Sequence, residues 1–395
     1  MSISVGMVAG EPSGDLLASR VITGLQQSGG DVRCAGIGGP AMCASGFDAW
    51  HPMHALTVFG YVDALKRLPS LLRTYGDVKR RWLSDHPSVF VGVDAPDFNL
   101  RLELQLRQAG VPTVHFVGPS IWAWRYERIH KIREAVSHML VLFPFEEEIY
   151  QKEGIPVTYV GHPLADAIPM QPDREAARRR LSIDSSARVL AILPGSRSSE
   201  IRILAPRFLQ AAQKLRQRDP GLVCVVPMVN GERRKEFEAI LAQYPVPGLR
   251  CLTAADMAEA EGSPVAWSAL EASNAVLVAS GTATLEAALF KRPMVISYYL
   301  SPWMRRIMAW KSGQQRPYLP WVGLPNVLLR DFAVPELLQD DATPEKLAEA
   351  TWIALTDDSH AARVESRFTT MHHDLTRDTA RLASQAILEV AHGPA

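Results

Sequence analysis

The chain has 395 residues, 47% of them apolar, 21% charged and 8% aromatic. That length suits two domains of ordinary size, and the apolar fraction is too high for a disordered chain. Its 42 Lys and Arg balance 42 Asp and Glu, so the basic excess of a nucleic-acid binder is missing and no such partner is expected.

The N-terminal run Ile3–Ala9 reads as a β-strand and not as a signal peptide, because no basic region precedes it. Further β-branched runs follow at 88–93, 113–117, 138–143, 157–160, 189–193, 222–227, 275–279 and 294–298. Many are apolar throughout, as parallel strands covered on both faces are. Helical patterns lie between them, at 15–27, 205–218, 231–243 and 283–290. Such alternation specifies an α/β fold with parallel sheets. A Pro-rich stretch that begins at Gly161-His162-Pro163 divides the chain into residues 1–165 and 166–360. The tail, 361–395, carries one long helical pattern, which either completes the first domain or docks on a partner subunit in a homodimer.

Four cysteines without a C-x-x-C spacing argue against a disulfide scaffold and a zinc ribbon, and for a reducing compartment. No apolar run approaches the ~20 residues of a membrane span. The expected location is therefore cytoplasmic, with any membrane met from the side.

Four turns at strand ends carry the candidate chemistry. After the first strand, Gly10, Glu11, Ser13 and Gly14 open a helix whose free amides suit a ligand. The plain alternative is a tight turn capped by Ser13 or Asp15. The second turn, Asp94-Ala95-Pro96-Asp97-Phe98-Asn99, presents Asp94 at a strand tip, where a carboxylate can act as general base. Asp97 or Asn99 is the expected cap of the helix that follows. The third, Pro194-Gly195-Ser196-Arg197, combines backbone amides with one guanidinium and suits a diphosphate. The fourth, Ser280-Gly281-Thr282, opens a helix whose first amides suit phosphate oxygens, with Glu286 one turn on for ribose hydroxyls.

Metal ligation is not expected, since Asp-x-Asp, His-Glu-x-x-His and His-x-Glu are all missing. Val58, Val62, Leu65, Leu68 and Leu72, rimmed by Lys66, Arg67, Arg73, Lys79, Arg80 and Arg81, form either an ordinary core-facing helix interrupted by Pro69 or a ledge for an anionic lipid surface.

With these residues in place, the sequence resembles the lipid-A-disaccharide synthase family of inverting glycosyltransferases. The matching segments are A-G-E-P-S-G-D from Ala9, G-V-D-A-P-D-F-N from Gly92, P-S-I-W-A-W-R from Pro119, L-P-G-S-R from Leu193, A-S-G-T-A-T-L-E from Ala279 and L-P-N from Leu324. The resemblance implies a GT-B-like fold, with two Rossmann-type parallel-sheet domains facing across a cleft. It implies transfer of 2,3-diacylglucosamine from UDP-2,3-diacylglucosamine to 2,3-diacylglucosamine 1-phosphate (lipid X), giving a β-1,6 disaccharide and UDP. Asp94 would take the acceptor proton. Gly195, Ser196, Arg197, Ser280, Gly281, Thr282, Glu286 and Asn326 would hold the donor. Trp124 and Arg125 would belong to the acceptor side with Gly10, Glu11, Ser13, Gly14 and Asp97. No cofactor is implied, and the expected surface is the cytoplasmic face of the inner membrane. The rival readings are a UDP-N-acetylglucosamine 2-epimerase and a non-catalytic sugar-nucleotide or lipid binder.

Overall fold

The computed structural model describes residues 3–28, 30–56, 61–256, 264–300 and 318–393, with the backbone alone for 61–68. It contains two compact units, residues 1–166 with 375–395, and residues 167–374.

The first unit is built on seven parallel strands. They are β1 (Ile3–Ala9), β2 (Val32–Gly38), β3 (Asp48–Pro52), β4 (Val89–Val93), β5 (Thr113–Phe116), β6 (His138–Val141) and β7 (Val157–Tyr159), arranged β3-β2-β1-β4-β5-β6-β7. The second unit has β8 (Val189–Leu193), β9 (Val223–Pro227), β10 (Arg250–Leu252), β11 (Ala275–Ala279), β12 (Met294–Tyr298) and β13 (Glu336–Leu338), arranged β10-β9-β8-β11-β12-β13. Each is a Rossmann-like parallel sheet. In each, the chain winds outward from one strand and then returns to that strand's other side. The reversal falls between β1 and β4 in the first sheet and between β8 and β11 in the second. Open α/β sheets bind their ligands beyond the carboxyl ends of such a pair.

Side-chain alternation distributes the core to both faces. Val5, Met7 and Ala9 of β1 join Leu17, Val21 and Leu25 of the helix Pro12–Gln27, whereas Val8 joins Trp82 and Phe90 on the opposite face. The apolar runs of β4, β8 and β11 are buried at every position, so their hydrophobicity is continuous and not alternating.

Four strands escape the sequence pattern. β3, β10 and β13 are short edge strands, and β2 (V-R-C-A-G-I-G) contains two glycines and an arginine with a register shift at Gly36/Ile37. Two prolines fail to stop their helices. The helix Ser198–Arg218 contains Pro206, and the helix Tyr61–Ser84 runs through Pro69 because its later turns are anchored by buried Val78 and Trp82.

The tail is two helices, not one. Asp358–Leu375 belongs to the second unit, and Thr379–His392 packs on the helix Pro12–Gln27 of the first. The break lies at Asp378, whose φ is +56° and whose carboxylate accepts from Arg381 N–H. Asp166 fixes the return by accepting the amides of Arg377, Asp378 and Thr379 at 3.1, 3.1 and 2.7 Å. Ala383, Ala386 and Ile387 then bury against the first helix, and Ser384 Oγ donates to Val21 O at 3.1 Å. Only the last helix of the tail, Thr379–His392, thus lies on the first unit.

Candidate active site

At the reversal in the first sheet, β1 and β4 are hydrogen-bonded neighbours that end together, Ala9 opposite Val93. Their turns touch: a Cβ on Gly10 would lie 3.3 Å from Ala95 Cβ. Glu11 and Ser13 are exposed at the start of the helix Pro12–Gln27, while Gly14 and Asp15 are buried. Neither Ser13 nor Asp15 caps this helix, whose N-cap is Glu11 without a side-chain bond. Asp15 instead accepts the amides of Gly39, Ala41 and Met42, tying the first turn to the one after β2.

Asp94 stands at the tip of β4, half-buried, with its amide donating to Phe116 O of β5 at 2.8 Å. The expected caps behave otherwise. The helix Pro96–Gln108 has Ala95 at its N-cap with no side-chain bond. Asp97 is exposed and pairs with Arg128, and Asn99 turns back to the carbonyls at the end of β4. Both residues thus spend their side-chain bonds away from the first helical amides.

The loop after β5 shares this sheet edge. Trp122 meets Phe145 edge-on, which accounts for the first tryptophan of the W-A-W-R segment as a packing residue. Burial pushes the Glu146 carboxyl up to about 7. Trp124 is half-buried. Arg125 is exposed at φ +59°, with Glu127 3.5 Å away.

In the second sheet, Leu193 of β8 lies opposite Val278 of β11, so the turns after both strands also emerge side by side. Gly195 adopts φ +112°, and a Cβ there would fall 2.5 Å from Glu200 Oε2. That same oxygen accepts the amides of Ser196 and Arg197 at 3.0 and 3.2 Å. In this structure Glu200 therefore occupies the two amides that the sequence reading assigned to a phosphate. The Arg197 guanidinium is 81% exposed, 4.0 Å from Glu200, and remains available.

The turn after β11 is more open. Gly281 and Thr282 are exposed at the N-terminus of the helix Thr282–Leu289, and nothing lies within 4 Å of a Cβ built on Gly281. Ser280 donates through its amide to Ser297 O and through Oγ to Val322 O. Glu286 accepts a 2.8 Å bond from Trp267 Nε1 at Oε1, and burial raises its pKa. Asn326 is fully buried: Nδ2 donates to Val334 O and Glu336 Oε1, and Oδ1 accepts Val334 N–H. Its amide organises the turn at Val322–Asn326 from within. Glu336 does the same from the edge strand, accepting Val322 and Gly323 amides at 2.8 and 2.9 Å.

A sequence profile described as lipid-A-disaccharide synthetase matches residues 5–390. The chain belongs to that family. It is 87% identical over 395 residues to the lipid-A-disaccharide synthase of Bordetella petrii, and 78% identical over 393 residues to that of Bordetella avium, covering all of both chains in each case. Two solved structures share the fold. A UDP-GlcNAc 2-epimerase from Neisseria meningitidis bound to UDP-GlcNAc has a TM-score of 0.61 at 12% identity, covering 98% of this chain and 100% of that one. A glycosyltransferase from Rickettsia africae has a TM-score of 0.59 at 8% identity, covering all of both chains. The fold is GT-B-like and the chain is an enzyme of the synthase family. The epimerase likeness is one of fold.

Trp267 and Glu336, which bond the candidate residues Glu286 and Asn326, are residues that sequence reading missed. Trp267 lies on a different helix from Glu286, nineteen positions away, and Glu336 stands on a three-residue edge strand, so no local motif marks either. Among the described residues, no group of three His, Cys, Asp or Glu comes together in a way that could hold a metal ion, and no helix is long and apolar enough to cross a membrane. Of the residues expected to form either a core-facing helix or a lipid ledge, Val58 lies outside the described residues and Val62, Leu65 and Leu68 outside the described side chains. Leu72 is 53% exposed, beside a groove lined by Arg73, Lys79, Arg80 and Leu83.

Proposed function

We propose that the chain joins two acylated glucosamines, transferring 2,3-diacylglucosamine from its UDP derivative to 2,3-diacylglucosamine 1-phosphate with inversion. Asp94 removes the proton from the acceptor 6-hydroxyl as that oxygen attacks the donor C1. The bond from C1 to the diphosphate oxygen breaks, and UDP leaves. Arg197 and the amides at Thr282 offset the charge that develops on the diphosphate, without a metal ion. Glu286 accepts from the ribose hydroxyls through the oxygen that Trp267 leaves open. The glycine turn at 10–14 and the loop with Trp124 and Arg125 border the acceptor. The helix Tyr61–Ser84, with Leu72 and its basic rim, rests on the anionic lipid surface of the inner membrane's cytoplasmic face.

The observation that supports this most is Asp94's place on β4, at the strand reversal of its sheet and against the turn at Gly10. The test is incubation of the purified chain with both lipid substrates, with and without EDTA, followed by chromatography of the products. Disaccharide and UDP in equal amounts under both conditions are expected. Absence of disaccharide without EDTA overturns the reaction, and its loss on adding EDTA overturns the metal-free chemistry.

A further inference from the structure

Beneath the Asp94 turn lies a buried polar cluster for which the proton transfer has no direct use. Asp94 and Ala95 have φ of +53° and +44°, a left-handed conformation that residues with a Cβ keep only where their surroundings hold them. The holder is Asn99. Its Nδ2 donates to Asp94 O at 2.7 Å and lies 3.4 Å from Val93 O and 3.5 Å from Val8 O, so one amide ties the tip of β4 to β1.

Asn99 is itself held from below. A Cβ on Gly92 would lie 2.8 Å from Asn99 Cβ and 2.2 Å from Glu103 Oε1, so both side chains press on the same bare stretch of β4. Glu103 Oε1 sits 2.8 Å from His115 Nδ1 on β5. The next residue on β5, Phe116, accepts the Asp94 amide. The contacts thus close a ring around the tip of β4. Asn99, Glu103 and His115 are all fully buried, and Asn99 Oδ1, Glu103 Oε2 and His115 Nε2 have no hydrogen-bond partner. An apolar filling of the same volume would be more stable, since orphaned polar atoms cost free energy that packed carbon does not.

We propose that Asn99, Glu103 and His115 are positioning residues that aim the Asp94 carboxylate at the acceptor hydroxyl, an inference that rests on Asp94 being the base. They touch no substrate. Their effect is to keep a strained strand tip in one conformation, so that the proton transfer starts from a fixed geometry.

Steady-state kinetics of Asn99→Ala, run beside Asp94→Asn, test this. In folded Asn99→Ala, kcat is expected to fall about 10²-fold, the cost of an ångström-scale misplacement, while both KM values and UDP affinity stay within about threefold. If Asn99→Ala does not fold, His115→Asn, which loosens Glu103 away from the turn, is expected to lower kcat about tenfold with the same unchanged KM. A folded variant with kcat within about threefold of wild type, or one whose loss resides in KM, overturns the positioning role. If Asp94→Asn is inactive while Asn99→Ala is active, only the positioning role fails. If Asp94→Asn itself turns over normally, the base assignment fails and takes the positioning role with it.

Discussion

Glu200 shapes the diphosphate site proposed for the second unit. By accepting the Ser196 and Arg197 amides it fixes the turn after β8, and it leaves the exposed Arg197 guanidinium as that turn's cation for a diphosphate. Arg197→Ala should therefore weaken UDP binding about ten- to a hundredfold in calorimetry, the loss typical of a charge-assisted bond, and unchanged affinity would remove Arg197 from the site. Trp267 acts through Glu286. Its indole holds Oε1 and packs edge-on to Phe290, so the carboxylate presents its other oxygen in a fixed direction. Replacing Trp267 with Phe should reduce the preference for UDP over 2′-deoxy-UDP about three- to tenfold. A preference that stays at the wild-type value would mean that Glu286 needs no such support. Asp94, Arg197 and Ser280 could be proposed from the sequence because each stands in the turn that follows an apolar strand. Trp267, Glu336 and the competing claim of Glu200 could not, since their meaning depends on partners that only the folded chain brings near.

Among the elements, legibility followed burial. β8 and β11 are continuous apolar runs, β1 and β12 are apolar but for Ser4, Gly6 and Ser297, and all four appear in the sequence at the boundaries they have in the fold. The edge strands β3, β10 and β13 are half-exposed and open on Asp48, Arg250 and Glu336, so no β-branched run marks them. The segment after β7 shows a different dependence on context. His162 stacks on Phe143, and its Nδ1 accepts Leu164 N–H at 3.1 Å. Burial pushes its pKa down from 6.5 to about 4. The folded ring stays neutral where the unfolded ring takes a proton, so its contribution is complete above pH 6.5 and is lost as pH falls towards 4. Between pH 7 and pH 5 this amounts to about 2 kcal/mol of the first unit's stability. Urea unfolding of His162→Asn, which keeps an acceptor for Leu164, should lose less stability over that interval than wild type. Equal losses would show that His162 is protonated in the fold or remains neutral on unfolding.

At the scale of the whole molecule, each of two sheets reverses its strand order between the strands that carry its motifs, and the chain returns to complete the first unit through Asp166 and the helix Thr379–His392. Length and proline placement are what suggest two units in the sequence. The splitting of the tail at Asp378 is not visible there, because its apolar spacing continues across the break. The groove on the helix Tyr61–Ser84, where Arg73, Lys79 and Arg80 surround a single carboxylate, Asp77, gives the membrane reading a direct test. Reversing Arg73, Lys79 and Arg80 to Glu should abolish co-sedimentation with phosphatidylglycerol vesicles at low salt and leave the unfolding midpoint near its wild-type value. Undiminished co-sedimentation would move the lipid contact elsewhere.

The most direct test joins the two sheets' roles in a single variant, Asp94→Asn. Its turnover and its UDP affinity, measured on the same preparation, should separate: kcat falls about 10²- to 10⁴-fold, as on losing a general base, while calorimetry returns the wild-type dissociation constant. Near-normal turnover by Asp94→Asn would contradict the assignment of that carboxylate as the base.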